Sequence, residues 1–305
     1  VACNYPITGN RGADGIVRED KTKLGSKAWE ITIACGRCRG CRLEKSRQWA
    51  VRIMHERQMN DPDKCHFITL TYDDEYLPPL GSLVLQDWQK FARRVRKKKG
   101  PFRFYHCGEY GEEKGRPHYH ACVFGLELND LVVQQRKTKS GETAYQSDEL
   151  EELWGKGFTQ VGTLTFQSAA YVARYIMKKI NGKEKEEGHY NVINKKTGEI
   201  IGEKKPEYTT MSRNKGIGKT WIEKYKTDVY PRDEVILNAK KMRPPKFYDS
   251  HYEITDPQKH KQLKYNRAKK AKNKAADQTH ARLKTKENIL RQREERYKRE
   301  PEWGI

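Results

Sequence analysis

What most constrains this chain is the order in which its hydrophobic period switches between Phe67 and Ile180. Phe67-Ile-Thr-Leu-Thr-Tyr72 alternates with period two, a helical pattern runs from about Leu85 to Lys98, and Phe102 to Cys107 and His118 to Phe124 again read as strands. Gly108, Gly111 and the run Gly115-Arg116-Pro117 supply the turn between those last two. Ser147 is placed to cap a short helix to about Trp154, which Gly155 and Gly157 end before another strand pattern from Phe158 to Leu164. A last helix opens at Thr165 or Gln167 and runs to about Ile180. The succession β-α-β-β-α-β plus one helix predicts an α+β class fold, a ferredoxin-like antiparallel sheet of split βαβ units carrying an added helix.

The rest of the chain is built differently. Hydrophobic residues make up 35% and charged residues 34%, so one core cannot extend evenly through 305 residues. The reading divides the chain into an N-terminal Cys-rich element (1–60), the sheet core (61–182), a hairpin excursion around Thr197-Gly198 with the remainder of that domain (183–256), and a basic helical or disordered tail (257–305). The tail carries 16 basic and 6 acidic side chains, nearly half of the formal +21 charge of the whole chain. Such an excess attracts polyanions, nucleic acids first. No apolar run approaches the roughly 20 residues needed to cross a bilayer, so no membrane partner is expected.

Two segments carry chemistry. Successive strand residues point to opposite faces, so His118 and His120 project together while Tyr119 points away. Two neutral imidazoles at that spacing can bind one divalent cation, and Glu109, at the end of the preceding strand, is the best third ligand. On the last helix Tyr171, Tyr175 and Lys178 fall within one narrow sector, while Val172, Ala173 and Ile176 fall on others and can pack on the sheet. A cation at the histidines would polarise a phosphodiester, the phenol of Tyr171 or Tyr175 would attack it, and Lys178 would steady the charge. A second tyrosine permits a second cleavage while the first remains occupied.

This combination resembles the HUH endonucleases, and most closely the rolling-circle replication initiators of small single-stranded DNA phages, Microviridae of the gokushovirus type. Three motifs carry the resemblance in order: Phe67-Ile-Thr-Leu-Thr-Tyr72; Cys107-Gly-Glu109-Tyr-Gly111 through Arg116-Pro-His118-Tyr-His120; and Tyr171-Val-Ala-Arg174-Tyr175-Ile-Met-Lys178. It spans roughly Val1 to Tyr225 and implies a nickase. Such an enzyme cuts one strand at an origin, leaves a 5′-phosphotyrosine and a free 3′-hydroxyl, uses Mg²⁺ or Mn²⁺, and later rejoins the strand. It also implies work in the cytoplasm of a bacterial host cell, beside a host replication helicase and polymerase. Cys35, Cys38 and Cys41 resemble the Cys-rich start of these initiators and suggest structural Zn²⁺, with Cys3 as fourth ligand and Cys65 as the alternative. For DNA contacts the expected residues are Arg116, Thr69, Thr71, Arg174 and Lys179.

Two other readings stay open here. A transposase or relaxase would use the same chemistry, and a non-catalytic single-stranded nucleic-acid module would display Tyr119 and Phe104 from the sheet. Gly216-Ile-Gly218-Lys-Thr220 ends like a phosphate-binding loop but has Arg213 where that loop needs glycine, so no nucleotide hydrolysis is expected. His106, Cys107 and Cys122 flank the histidines and are expected to be packing residues.

Overall fold

The computed structural model describes residues 3–11, 17–18, 29–111, 115–134, 143–178, 188–194 and 196–297. The chain divides into two compact units, residues 1–45 with 257–300, and residues 46–256. In chain order the first elements are β1 (Ile7–Arg11), β2 (Val17–Arg18), β3 (Trp29–Ile33) and α1 (Arg39–Arg57), which begins in the first unit and continues in the second. Then come β4 (Cys65–Thr71), α2 (Leu85–Lys99), β5 (Arg103–Tyr110), β6 (Pro117–Phe124), β7 (Val132–Val133), β8 (Ala144–Gln146), α3 (Asp148–Trp154), β9 (Thr159–Thr163) and α4 (Phe166–Lys178). The hairpin β10 (Asn191–Ile193) and β11 (Ile200–Glu203), β12 (Tyr208–Met211), α5 (Lys219–Val229), the hairpin β13 (Val235–Leu237) and β14 (Lys240–Met242), and α6 (Lys246–Thr255) complete the second unit. The first unit closes with α7 (Pro257–Lys272) and α8 (His280–Tyr297).

The second unit is organised by one seven-stranded antiparallel sheet in the order β12-β5-β6-β4-β9-β8-β7. Its middle four strands have the split βαβ order: β6 lies between β4 and β5, which α2 connects, and β4 lies between β6 and β9. The short edge strands β12, β7 and β8 were not legible as strands, because two to four residues give too little alternation to register.

Period two then divides the sheet chemically. Ile68, Leu70, Tyr119, Ala121 and Val123 join Trp88, Phe91 and Val95 of α2 and Leu150, Leu153 and Trp154 of α3 in a single core. Each large apolar side chain fully buried there contributes roughly 1.5–3 kcal/mol. Ser147 caps α3 as its position suggests, its Oγ accepting from Leu150 N at 3.0 Å, and Gly155 closes the helix in the left-handed region at φ 60°. Gly157, at φ 135°, is pressed so closely on the Thr71–Asp73 backbone that a Cβ would collide with it, which lets Thr71 and Phe158 exchange backbone bonds of 2.9 and 3.1 Å.

Tyr119 is fully buried, its hydroxyl bonded to Tyr72 Oη at 2.8 Å and donating to Val84 O at 2.9 Å. Phe104 packs edge-on against Trp88. Tyr119, one of the two aromatics required by the non-catalytic module, is therefore a core residue, because its strand face is covered by α2 and α3.

The first unit departs from its Gly-rich appearance. β1 pairs antiparallel with both β2 and β3, with Ile7 opposite Ile33 and Arg11 opposite Trp29. Ile7 and Ile33 stay well exposed, so the alternation that announces a strand is weak here. The tail forms two helices rather than one, separated by a 3₁₀ turn at Ala275–Gln278, with His260, Leu263, Leu283 and Glu287 buried.

Candidate metal and tyrosine centre

The sheet face opposite the core carries Thr69 of β4, Glu109 of β5, and His118 and His120 of β6. Antiparallel register sets Thr69 and Cys107 on either side of His120, and Glu109 and Thr71 on either side of His118. Pairing across adjacent strands brings the three ligand candidates together without any loop, and their ligand atoms lie within 4.8 Å of one another. Glu109 Oε1 lies 2.9 Å from His118 Nε2 and 2.7 Å from His120 Nε2, and both Glu109 and His120 are buried.

The outer nitrogens of both rings are already committed. His118 Nδ1 donates to the carbonyl of Arg116 at 3.1 Å, and His120 Nδ1 is bonded to Thr69 Oγ1 at 2.9 Å, with the ring stacked on Phe67 at 5.4 Å and 12°. A carbonyl can only accept, so the His118 tautomer carries its proton on Nδ1 and turns the Nε2 lone pair toward Glu109. Lone pairs converging on a carboxylate oxygen in a buried site call for positive charge between them, and His₂Glu is a donor set that suits a divalent cation. Burial would raise the Glu109 carboxyl, but hydrogen bonds and charge from His118 and His120 more than offset it and hold it at about 2. The third ligand thus stays ionised at any physiological pH.

α4 lies over this face, packing on β5, β6 and β12 through the buried Ala169, Val172 and Ala173. Its start is locked by a reciprocal cap: Thr165 N donates to Ser168 Oγ at 2.8 Å, and Ser168 N to Thr165 Oγ1 at 3.2 Å. Ser46 of α1 donates to Ala170 O, one residue before the first tyrosine. Tyr171 is half-buried and donates its hydroxyl to Glu109 Oε1 at 3.3 Å, its ring edge-on to His120 and Phe67. Tyr175 and Lys178 fall within α4, but their side chains lie outside the described residues, as does Lys179 altogether.

In the first unit the sulfurs of Cys3, Cys35, Cys38 and Cys41 also lie within 4.8 Å of one another. Backbone N–H groups of Cys35, Cys38 and Cys41 donate to the sulfurs of Cys3, Cys35 and Cys38 at 3.2, 3.4 and 3.4 Å, and Asn4 N donates to Cys38 Sγ at 3.2 Å. Burial raises the Cys3 and Cys41 thiols, whereas at Cys35 the same burial is outweighed by the N–H groups of Cys38 and Arg37, which bring it to about 7. Four sulfurs with N–H donors aimed at them match a closed structural metal site. Cys65, the alternative fourth ligand, is instead buried in β4 of the other unit.

A family model for replication-associated protein ORF2 matches residues 65–180, which run from the start of β4 past the end of α4. The chain is 31% identical to replication-associated protein VP4 of Bdellovibrio phage phiMH2K over 84% of this chain and 79% of that relative. It is 34% identical to replication-associated protein ORF2 of Spiroplasma virus 4 over 73% and 68% respectively. The chain belongs to the replication-associated proteins of the small single-stranded DNA phages, the Microviridae. A third member, replication-associated protein ORF4 of Chlamydia phage 1, is 30% identical over 50% of this chain and 40% of its own length. No solved structure matches the chain.

Within this replication-associated protein the expected DNA contacts are placed unevenly. Arg174 is exposed on α4. Arg116 is ion-paired with Asp74 and donates to Tyr72 O at 2.8 Å, so its guanidinium ties two loops together. Thr69 is buried and committed to His120, which corrects its role from a surface beneath DNA to a support of the ligand. The signal was its register opposite His120, invisible until the strands pair. Thr71 Oγ1 is buried with no hydrogen-bond partner among the described residues, next to His118 in register. Gly218, in the loop resembling a phosphate binder, donates its N–H to Glu56 Oε2 at 2.6 Å, so a carboxylate already occupies the start of α5. Of the flanking residues, His106 stacks on Trp88 at 3.9 Å, and Cys107 and Cys122 are buried.

Proposed function

We propose that this replication-associated protein initiates rolling-circle replication as a HUH endonuclease, nicking single-stranded or locally melted DNA at an origin by tyrosine attack. The observation that carries the reading is the Tyr171 hydroxyl at 3.3 Å from the carboxylate that His118 and His120 share, which puts a nucleophile beside a divalent-cation donor set. Mg²⁺ or Mn²⁺ bound by Glu109, His118 and His120 would polarise a non-bridging phosphate oxygen and draw off developing charge.

The protein's own groups do the rest. Glu109 orients the Tyr171 phenol as a hydrogen-bond acceptor; held at about 2, it is too weak a base to keep the phenolic proton, which goes to solvent. The phenolic oxygen bonds to phosphorus, the bond from phosphorus to the 3′ oxygen breaks, and that oxygen takes up a proton. The products are a 5′-phosphotyrosine and a free 3′-hydroxyl that serves as primer, and the reverse attack rejoins the strand without ATP. Tyr175, one helical turn on, is the second nucleophile, and Lys178 steadies the phenolate or phosphate. Zn²⁺ in the four-cysteine cluster is structural, and unwinding and synthesis fall to the host helicase and polymerase.

The test is a denaturing gel for a covalent adduct between the protein and its cognate single-stranded genome, with and without Mn²⁺ or Mg²⁺. The expected result is a metal-dependent adduct that Tyr171→Phe reduces strongly and Tyr171→Phe/Tyr175→Phe abolishes. An adduct that persists in the double variant would overturn the reading.

A further inference from the structure

We propose that α7 forms a second DNA-binding surface, a contact for the phosphodiester backbone of single-stranded DNA, seated on the four-cysteine centre through Glu287. This rests on the proposed function only in taking DNA as the substrate.

The surface is defined by charge and exposure. Residues 257–274 contain eight basic and no acidic side chains. Lys261, Lys269, Lys270, Lys272 and Lys274 are exposed and have no acidic partner among the described residues. On α8, by contrast, Arg282 and Lys286 are paired with Asp277. At 100° per residue Lys261, Tyr265 and Lys272 fall within about 40° of one another, with the buried Leu263 on the opposite side. Tyr265 is 64% exposed between those lysines. Unpaired cations release counterions from a phosphate backbone, and an exposed aromatic among them offers a stacking surface that unpaired bases can use and paired bases cannot.

The seating is a buried carboxylate. Glu287 of α8 is nearly buried; its Oε2 accepts from Asn4 Nδ2 at 2.7 Å and its Oε1 from the Arg39 backbone N–H, the first residue of α1, at 3.3 Å. Asn4 in turn follows Cys3 and donates its own N–H to Cys38 Sγ. One side chain therefore ties the C-terminal helices to two of the four cysteines, and it neutralises the start of the helix that carries Cys41. Integrity of the cysteine centre and presentation of the basic helix are coupled.

The test is fluorescence anisotropy of the full chain with a labelled oligothymidylate strand and its duplex counterpart across a salt series. Wild type is compared with Lys261→Glu/Lys269→Glu/Lys272→Glu, Tyr265→Ala, Glu287→Gln and Cys38→Ser. The triple reversal, confined to exposed side chains, is expected to raise Kd for the single strand at least about tenfold and to lower the slope of log K against log salt by about 2. Tyr265→Ala is expected to weaken single-strand binding and leave duplex binding unchanged. Glu287→Gln and Cys38→Ser are expected to lower the same slope. An unchanged Kd and slope in the triple reversal would overturn the proposal, as would loss of binding to acidic phospholipid vesicles with DNA binding intact. A slope that responds to the reversal but not to Glu287→Gln or Cys38→Ser would overturn the seating. The adduct assay on the same proteins reports the nuclease separately: charge-dependent binding in wild type without an adduct would remove that reading and leave this surface standing.

Discussion

The two candidate metal centres of this protein are built in opposite ways. Glu109, His118 and His120 stand on two adjacent strands of a seven-stranded sheet, and each imidazole is held from behind by Arg116 O or Thr69. Cys3, Cys35, Cys38 and Cys41 lie on loop segments and the first turn of α1, and their geometry is held by backbone N–H groups directed at sulfur. The first centre is rigid before a cation arrives and offers three protein ligands, leaving coordination sites for a substrate. The second offers four sulfurs and no opening, and its surroundings owe more to the cation than the cation owes to them. Three ligands on a sheet suit chemistry; four on loops suit folding.

That contrast can be broken by removing a ligand from each. His120→Ala is expected to lower nicking of the cognate strand on the order of 10³-fold while the thermal transition of the second unit persists, measured by adduct yield and calorimetry on one preparation. Cys38→Ser is expected to do the reverse, costing about 3–5 kcal/mol in the first unit and its metal content, with adduct formation on a short oligonucleotide retained. If both variants lose activity and stability together, the division of labour is wrong.

Acid sharpens the comparison next. Glu109 titrates at about 2 against an ordinary 4.5, so the folded state binds its proton later than the unfolded state. The resulting stability, about 3 kcal/mol, is complete above about pH 5 and is lost as pH falls toward 2. Urea denaturation of chelator-treated protein between those limits should show this slope, and Glu109→Gln should remove it. The smallest effect is expected behind the ligand. Thr69→Val keeps the shape but leaves His120 Nδ1 without its partner, and calorimetric titration should show metal affinity reduced about 10–100-fold, with little change in folding.

Much of this was readable before any strand was paired. His118 and His120 share a face because a strand alternates, Tyr171 faces inward because helical spacing puts Val172 and Ala173 beside it, and Glu109 was reachable across one short turn. Ser147 and Gly155 bounded α3 where their conformational preferences put them. What escaped was every feature that depends on a partner far along the chain. The sheet of β1, β2 and β3 has too few alternating residues to be seen before β3 returns to β1. Thr69 looked like a surface residue because nothing local says that its hydroxyl meets His120, and Arg116 looked free because Asp74 lies outside its own strand.

The sequence by itself determined which side chains share a face and in what order strands and helices follow, since both come from the geometry of one residue relating to the next few. Only the tertiary structure decided which faces meet: that β6 sits between β4 and β5, that Tyr171 reaches Glu109, and that Glu287 closes on Asn4 and Arg39. Those contacts join residues tens to hundreds of positions apart, and such pairings are selected by the burial of a whole core rather than by local preference.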